Sequence, residues 1–205
     1  DQEFTFDYEF LFELFQFLIG LLESENGETA IFTIGFISLS LKDNFNMMLN
    51  ESISIAIKLI QNKIYIEKSL LCLQMILSSC NSSDELPSII DCIGSVLNDE
   101  QASNEEYIIS FGVIKTIIKM YFIVLNQESS SESLSEVLNF LSMPIEKIND
   151  MVNNNRNVSI IIINNVFDCY SFLMVHDIQK FHPIIINHFF VAAKALITFQ
   201  KKSNE

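Results

Sequence analysis

Tryptophan is absent from this chain of 205 residues, arginine occurs once, at Arg156, and proline only at Pro87, Pro144 and Pro183. So few prolines leave long stretches in which nothing interrupts a helix. Cationic residues are scarce as well: 12 Lys and Arg stand against 26 Asp and Glu, for a net charge of −14. Binding to a phosphate backbone needs a clustered basic surface, so no nucleic-acid partner is expected. The five glycines, Gly20, Gly27, Gly35, Gly94 and Gly112, form no phosphate-cradling loop. Gly35 and Gly112 fall inside predicted helices, where glycine costs about 1 kcal/mol relative to alanine; close helix approach and simple tolerance are both readings of them.

The four cysteines, Cys72, Cys80, Cys92 and Cys169, include no CxxC pair, and no histidine lies near any of them. Each sits in or at the end of an apolar stretch and reads as a buried, inert thiol. That implies a reducing compartment, hence a cytoplasmic or nuclear location. His176, His182 and His188 are six residues apart. On a helix this spacing turns each about 120° from the next, whereas metal-binding pairs recur every three or four residues. Asp84-Glu85 and Glu105-Glu106 suit the first turn of a helix, where the dipole favours carboxylates. No catalytic constellation remains, so the expectation is a protein that is not an enzyme and holds no metal or cofactor. No segment reads as membrane-spanning: the most apolar ones are broken by Lys115 and Lys119, by Asn164, Asn165 and Asp168, or by His182, His188 and Lys194.

What the chain does contain is apolar periodicity. Hydrophobic residues make up 49% of it, with 18 Phe. Phe10, Leu11, Leu14, Phe15, Leu18 and Leu21 recur at three- and four-residue spacing, with Glu9, Glu13 and Gln16 between them. The same reading predicts an all-α fold of about nine helices, near 6–23, 29–41, 46–61, 65–78, 84–98, 105–125, 132–152, 158–175 and 180–201. Polar loops are predicted at 127–136, QESSSESLSE, and at 153–157, NNNRN. The whole of 1–205 reads as one helical domain. The first residue is Asp1 rather than Met, and a fragment of a longer chain is one expectation; no signal peptide is visible.

An internal repeat organises these helices. A shift of 39 residues lays Glu28-Thr-Ala-Ile-Phe-Thr-Ile on Glu67-Lys-Ser-Leu-Leu-Cys-Leu, and a second shift reaches Glu106-Tyr-Ile-Ile-Ser-Phe-Gly. Leu14 then falls on Ile53 and Cys92, and Leu18 on Ile57 and Val96. Helix pairs at 6–41, 46–78, 84–125 and 132–175, with a last helix at 180–201, form the expected array. A single pair cannot bury its apolar face, so neighbours stack into an α-α superhelix with a continuous core.

On these residues the chain resembles the armadillo/HEAT class of α-solenoids. Glu67-Lys-Ser-Leu-Leu-Cys-Leu-Gln-Met-Ile-Leu is similar to the last helix of an armadillo repeat, and the resemblance spans 6–175. In that class the last helix lines a concave groove, where importin-α-type arrays place Trp and Asn one turn apart to hold a basic peptide. The matching positions are Phe32 and Phe36, Leu71 and Met75, and Ser110 and Ile114, without the Trp/Asn ladder. The resemblance implies a mostly apolar groove at those six residues; a buried core at the same positions is the alternative.

The function expected is a non-enzymatic protein-interaction scaffold docking a partner helix or peptide, in the manner of a subunit of a larger assembly. Residues 1–41 carry Asp1, Glu3, Asp7, Glu9, Glu13, Glu23, Glu25 and Glu28 and no Lys or Arg, so basic flanks on an amphipathic partner helix are expected. Two alternatives stand beside it. One is a regulatory armadillo domain of the formin type, by analogy. The other is a helical bundle with a Phe-lined cavity for a lipid or small ligand, built on Phe4, Phe6, Phe10, Phe12, Phe15 and Phe17.

Overall fold

The computed structural model describes residues 7–79, 84–125 and 160–176, together with Ile186, Phe190, Ala193, Lys194 and Ile197. Every regular element among the described residues is helical. In chain order these are α1 (Tyr8–Leu21), α2 (Gly27–Leu41), a 3₁₀ turn (Lys42–Phe45), α3 (Asn46–Gln61), α4 (Ile66–Ser79), α5 (Leu86–Asn98), α6 (Asn104–Leu125) and α7 (Ile160–His176). The fold is all-α, and the described residues hold seven α-helices rather than about nine: six lie between residues 7 and 125, and one more follows at 160–176. The expected helix at 132–152 and both predicted polar loops lie outside the described residues. Of 180–201 only the five isolated residues are described, each helical.

The abundant Ile and Phe do not produce strands, because their spacing is that of a helix and the ends are capped. The Asp7 carboxylate accepts a hydrogen bond from the Phe10 backbone N–H at 3.0 Å, which fixes the start of α1. At α6 a reciprocal pair closes the first turn: the Ser103 hydroxyl accepts from the Glu106 N–H at 3.1 Å, and the Glu106 carboxylate accepts from the Ser103 N–H at 2.7 Å. Pro87 occupies the first turn of α5, where its missing N–H is not needed. Replacing Ser103 with Ala is expected to lower stability by about 1 kcal/mol, read as a shift in a denaturant midpoint; an unchanged midpoint would remove the cap's role.

Two compact units are distinguished, Asp1–Cys80 and Asn81–Glu205. In the first, α1 packs on α2, and α2 and α3 both pack on α4. Phe15, Ile31, Ile34, Ile53, Leu70 and Leu73 fill the interior, each with almost no exposed surface. The connection before α4 is tied to the turn before α2. Tyr65, with a positive φ of 49°, donates its hydroxyl to the Ser24 carbonyl at 3.3 Å, and its ring lies against Gly27. In the second unit α6 packs against both α5 and α7. Tyr107 donates its hydroxyl to the Asp99 carbonyl at 2.7 Å, and Lys115 of α6 pairs with Asp168 of α7.

Burial corrects the register read from the sequence. From α2 to α4 the 39-residue shift holds: Ala30, Ile31, Ile34 and Ser38 are buried, as are Ser69, Leu70, Leu73 and Leu77. From α4 to α6 the buried set recurs 41 residues on. Ser69, Leu70, Cys72, Leu73, Ile76 and Leu77 become Ser110, Phe111, Val113, Ile114, Ile117 and Ile118. Between α1 and α3 the offset is 38, since Leu11, Phe15 and Leu18 match Leu49, Ile53 and Ala56. Leu14 and Leu18 therefore do not correspond to Ile53 and Ile57. Each connecting turn sets its own length, and on a helix a one-residue error rotates every assignment by 100°.

Candidate functional site: an apolar strip on α2 and α4

Helices α2 and α4 run parallel, as the ascending order of their contacts shows: Lys68 meets Glu28 and Phe32, and Gly35 meets Cys72 and Met75. Gly35 sets their separation. A Cβ there would stand 3.0 Å from the Cys72 Cα and 3.3 Å from the Met75 sulfur, closer than ordinary packing permits. The glycine thus has the close-approach role that was one of its two readings.

Along this seam four of the six expected site residues come together at the surface. Phe36 is 52% exposed, while Phe32, Leu71 and Met75 are half-buried. Phe32 and Phe36, one turn apart, pack edge to face with ring centroids 5.2 Å apart at 76°, a favoured aromatic geometry. The Lys68 ammonium lies 5.3 Å from the Phe32 ring centroid and 4.0 Å from a Glu28 carboxylate oxygen. The exposed ion pair contributes at most about 1 kcal/mol, and the cation–π contact a similar amount. Their larger effect is to orient Phe32, so that the strip begins at a charged pair and continues as apolar surface.

Ser110 and Ile114 do not belong to it. Both are buried in α6, at 0% and 2% exposure. With the 41-residue register they correspond to the core positions Ser69 and Leu73, and the counterparts of Leu71 and Met75 become Gly112 and Thr116, where no apolar ladder continues. Groove and core, both open at the level of sequence, thus separate by helix: surface for α2 and α4, core for α6. The hydroxyls of Ser69 and Ser110 are buried without a hydrogen-bond partner, which sequence inspection missed; the shared serine at equivalent positions was the available signal.

The Phe-lined cavity is not formed by the described phenylalanines of α1. Phe15 is core, and Phe10, Phe12 and Phe17 are exposed, while Phe4 and Phe6 lie outside the described residues. A groove of about 510 Å³ does run between α1 and α3, but its walls are aliphatic, Ile19, Leu22, Ile55, Leu59 and Ile64, with Glu23 and Lys58 among its polar lining.

Burial holds the described thiols in their neutral form. Burial pushes the Cys72 thiol up to about 12, partly opposed by the Gly35 backbone. It raises Cys92 to about 11 and Cys169 to about 12, from the usual 9.0. Three thiols that stay neutral at pH 8 should resist disulfide-exchange reagents until the protein unfolds. The pH dependence follows with a definite sign. The unfolded thiols ionise near 9.0 while the folded ones do not, so the unfolded state binds fewer protons and stability falls as pH rises from about 9 toward 12. Denaturation midpoints at pH 8 and pH 10 check this; a higher midpoint at pH 10 would contradict the burial. Among the described residues no group of three His, Cys, Asp or Glu side chains could hold a metal ion, and no helix is long and apolar enough to cross a membrane.

Comparison with protein-family models, with characterised proteins and with solved structures finds no match.

Proposed function

We propose that this chain is a non-enzymatic protein-interaction scaffold, an armadillo/HEAT-like α-α superhelix of stacked helix pairs that docks an amphipathic partner helix or peptide. The observation that carries the reading is the strip of Phe32, Phe36, Leu71 and Met75, apolar, partly exposed and held by two parallel helices. Support for stacked pairs comes from buried positions that recur in equivalent helices, with the registers of 38, 39 and 41 residues given above. A helix laid on such a strip would seat anchors at i, i+3, i+4 and i+7. The acidic residues 1–41 favour basic flanks on that helix. The unbridged thiols of Cys72, Cys92 and Cys169 favour a reducing compartment, cytoplasmic or nuclear. A small-ligand carrier is the second reading, favoured by the aliphatic groove between α1 and α3, whose volume lies within the range of ligand pockets.

Site-specific photo-crosslinking tests the docking surface. A benzophenone side chain at position 36 or 71 is expected to trap the same partner from a lysate of the source cells, and one at position 114 to trap none. Trapping from position 114, or none from 36 and 71, would contradict it.

A further inference from the structure

In the groove between α1 and α3, Ile19 and Leu22 at the end of α1 form one wall, and Ile55 and Leu59 of α3 form the other. Gly20 also lines it, is exposed, and has nothing within 4 Å of where a Cβ would stand. It differs in this from Gly27 and Gly35, whose Cβ atoms would collide with Tyr65 and crowd Cys72. Glycine is among the poorest helix formers, and no packing neighbour requires it at position 20. What a side chain there would occupy is the groove itself. Beyond the end of α3, Ile64 completes the apolar lining and is 43% exposed. It sits between Lys63 and Tyr65, whose φ angles of 58° and 49° lie in the left-handed region that non-glycine residues seldom adopt. Tyr65 is in turn anchored on the Ser24 carbonyl.

This lining selects for a flexible alkyl chain. It includes no aromatic ring on which a planar ligand could stack. A helix with its side chains is about 10 Å across, so two turns of one would take more than roughly 800 Å³, against about 510 Å³ in the groove. An extended segment, whether from a partner or from this chain, would bring backbone N–H and C=O groups against aliphatic walls, and those groups must be paired. The elements around the groove are helical and offer no strand edge to pair them. A methylene chain has no such groups and is favoured by its own burial.

The rim carries one charge of each sign. Lys58 of α3 and Glu23, just after α1, both line the groove and are exposed, and neither is held in an ion pair among the described residues. A fatty-acid carboxylate would meet Lys58 but also Glu23 and the chain's net charge of −14. A simple ammonium head would meet Glu23 but also Lys58. A zwitterionic head satisfies both. We infer that the groove binds a single-chain zwitterionic amphiphile of the lysophospholipid class, its alkyl chain between α1 and α3, its phosphate on Lys58 and its ammonium on Glu23. This occupant presupposes the small-ligand reading of the groove and is independent of the strip on α2 and α4.

Isothermal titration calorimetry on the full chain tests this with amphiphiles of one chain length, each below its micelle concentration: dodecylphosphocholine, dodecanoate and dodecyltrimethylammonium. The wild type is expected to bind the phosphocholine saturably, and each singly charged amphiphile at least roughly tenfold more weakly. Gly20→Leu, which fills the groove from a position with no close neighbour, should weaken phosphocholine binding by at least roughly tenfold while its circular dichroism melt stays that of the wild type or rises. Lys58→Glu should turn the preference toward dodecyltrimethylammonium, a change that a merely structural role would not produce, and it carries the test if Gly20→Leu does not fold. No saturable binding of any of these amphiphiles overturns the inference together with the small-ligand reading. Equal affinity of the wild type for all of them overturns the zwitterionic class and leaves a small-ligand carrier standing. Undiminished binding to folded Gly20→Leu places the alkyl chain outside the groove and overturns the site.

Discussion

Leu73→Asp is expected to abolish the cooperative melt of the helices in Asp1–Cys80, while Phe36→Asp and Leu71→Asp leave it within about 1 kcal/mol of the wild type. The three positions lie within the same two helices and receive the same new group, so the contrast isolates burial. Leu73 has no exposed surface. A carboxylate there must either ionise without a partner or take up a proton, and the site also loses the packing of a leucine; each effect costs several kcal/mol. At position 36 the new carboxylate points into water and only a partly exposed ring is lost. At Leu71 the half-buried stem gives a somewhat larger shift, still far from collapse. Thermal melts followed at 222 nm on the three variants decide the matter, and a collapsed melt for Phe36→Asp would place the strip in the core.

The second large effect is a contrast between two glycines. Gly27→Ala should destabilise by about 2–3 kcal/mol. A Cβ at that position collides with the Leu22 carbonyl oxygen and comes within 2.7 Å of the Tyr65 ring and 2.9 Å of its hydroxyl. The backbone carbonyl has no freedom to withdraw, and Tyr65 is held by its bond to Ser24. Gly20→Ala meets nothing within 4 Å and adds helix propensity near the end of α1, so it should stabilise by up to about 1 kcal/mol. Urea titrations of the two variants give opposite signs if the turn before α2 is held against Tyr65 as described; equal effects would contradict that contact.

Why the sequence conveyed some of this and not the rest has physical causes. The all-α fold was legible because residues such as Phe10, Leu14 and Leu18 repeat at helical spacing, and that pattern outweighs the β-preference of the many isoleucines. The start of α6 was legible from Glu105-Glu106, carboxylates suited to a first turn, while the reciprocal cap of Ser103 with Glu106 went unread. The spacing at which buried positions recur was legible only between α2 and α4, where Glu28 and Glu67 both open helices of similar length. Elsewhere the alignment assumed turns of constant length, and a two-residue error carried Ser110 and Ile114 from the core onto an imagined groove. The exposure of Phe10 and Phe17 on α1 escaped notice for another reason. That helix is apolar around most of its circumference, so periodicity identifies a helix without distinguishing the face that meets α2 from the face that meets water. Side-chain exposure at Phe10 and Phe17 supplies what the pattern of residue types cannot.

The central claim, that the seam of α2 and α4 receives an amphipathic helix, is tested most directly by one titration. A fluorescent synthetic helix with leucines at i, i+3, i+4 and i+7 and lysine flanks is added to wild type and to Leu71→Asp, beside a control peptide whose flanks are glutamate. The account predicts saturable binding to wild type, at least roughly tenfold weaker binding to folded Leu71→Asp, and weaker binding of the glutamate-flanked peptide. Equal affinity of the lysine-flanked peptide for wild type and Leu71→Asp would contradict it.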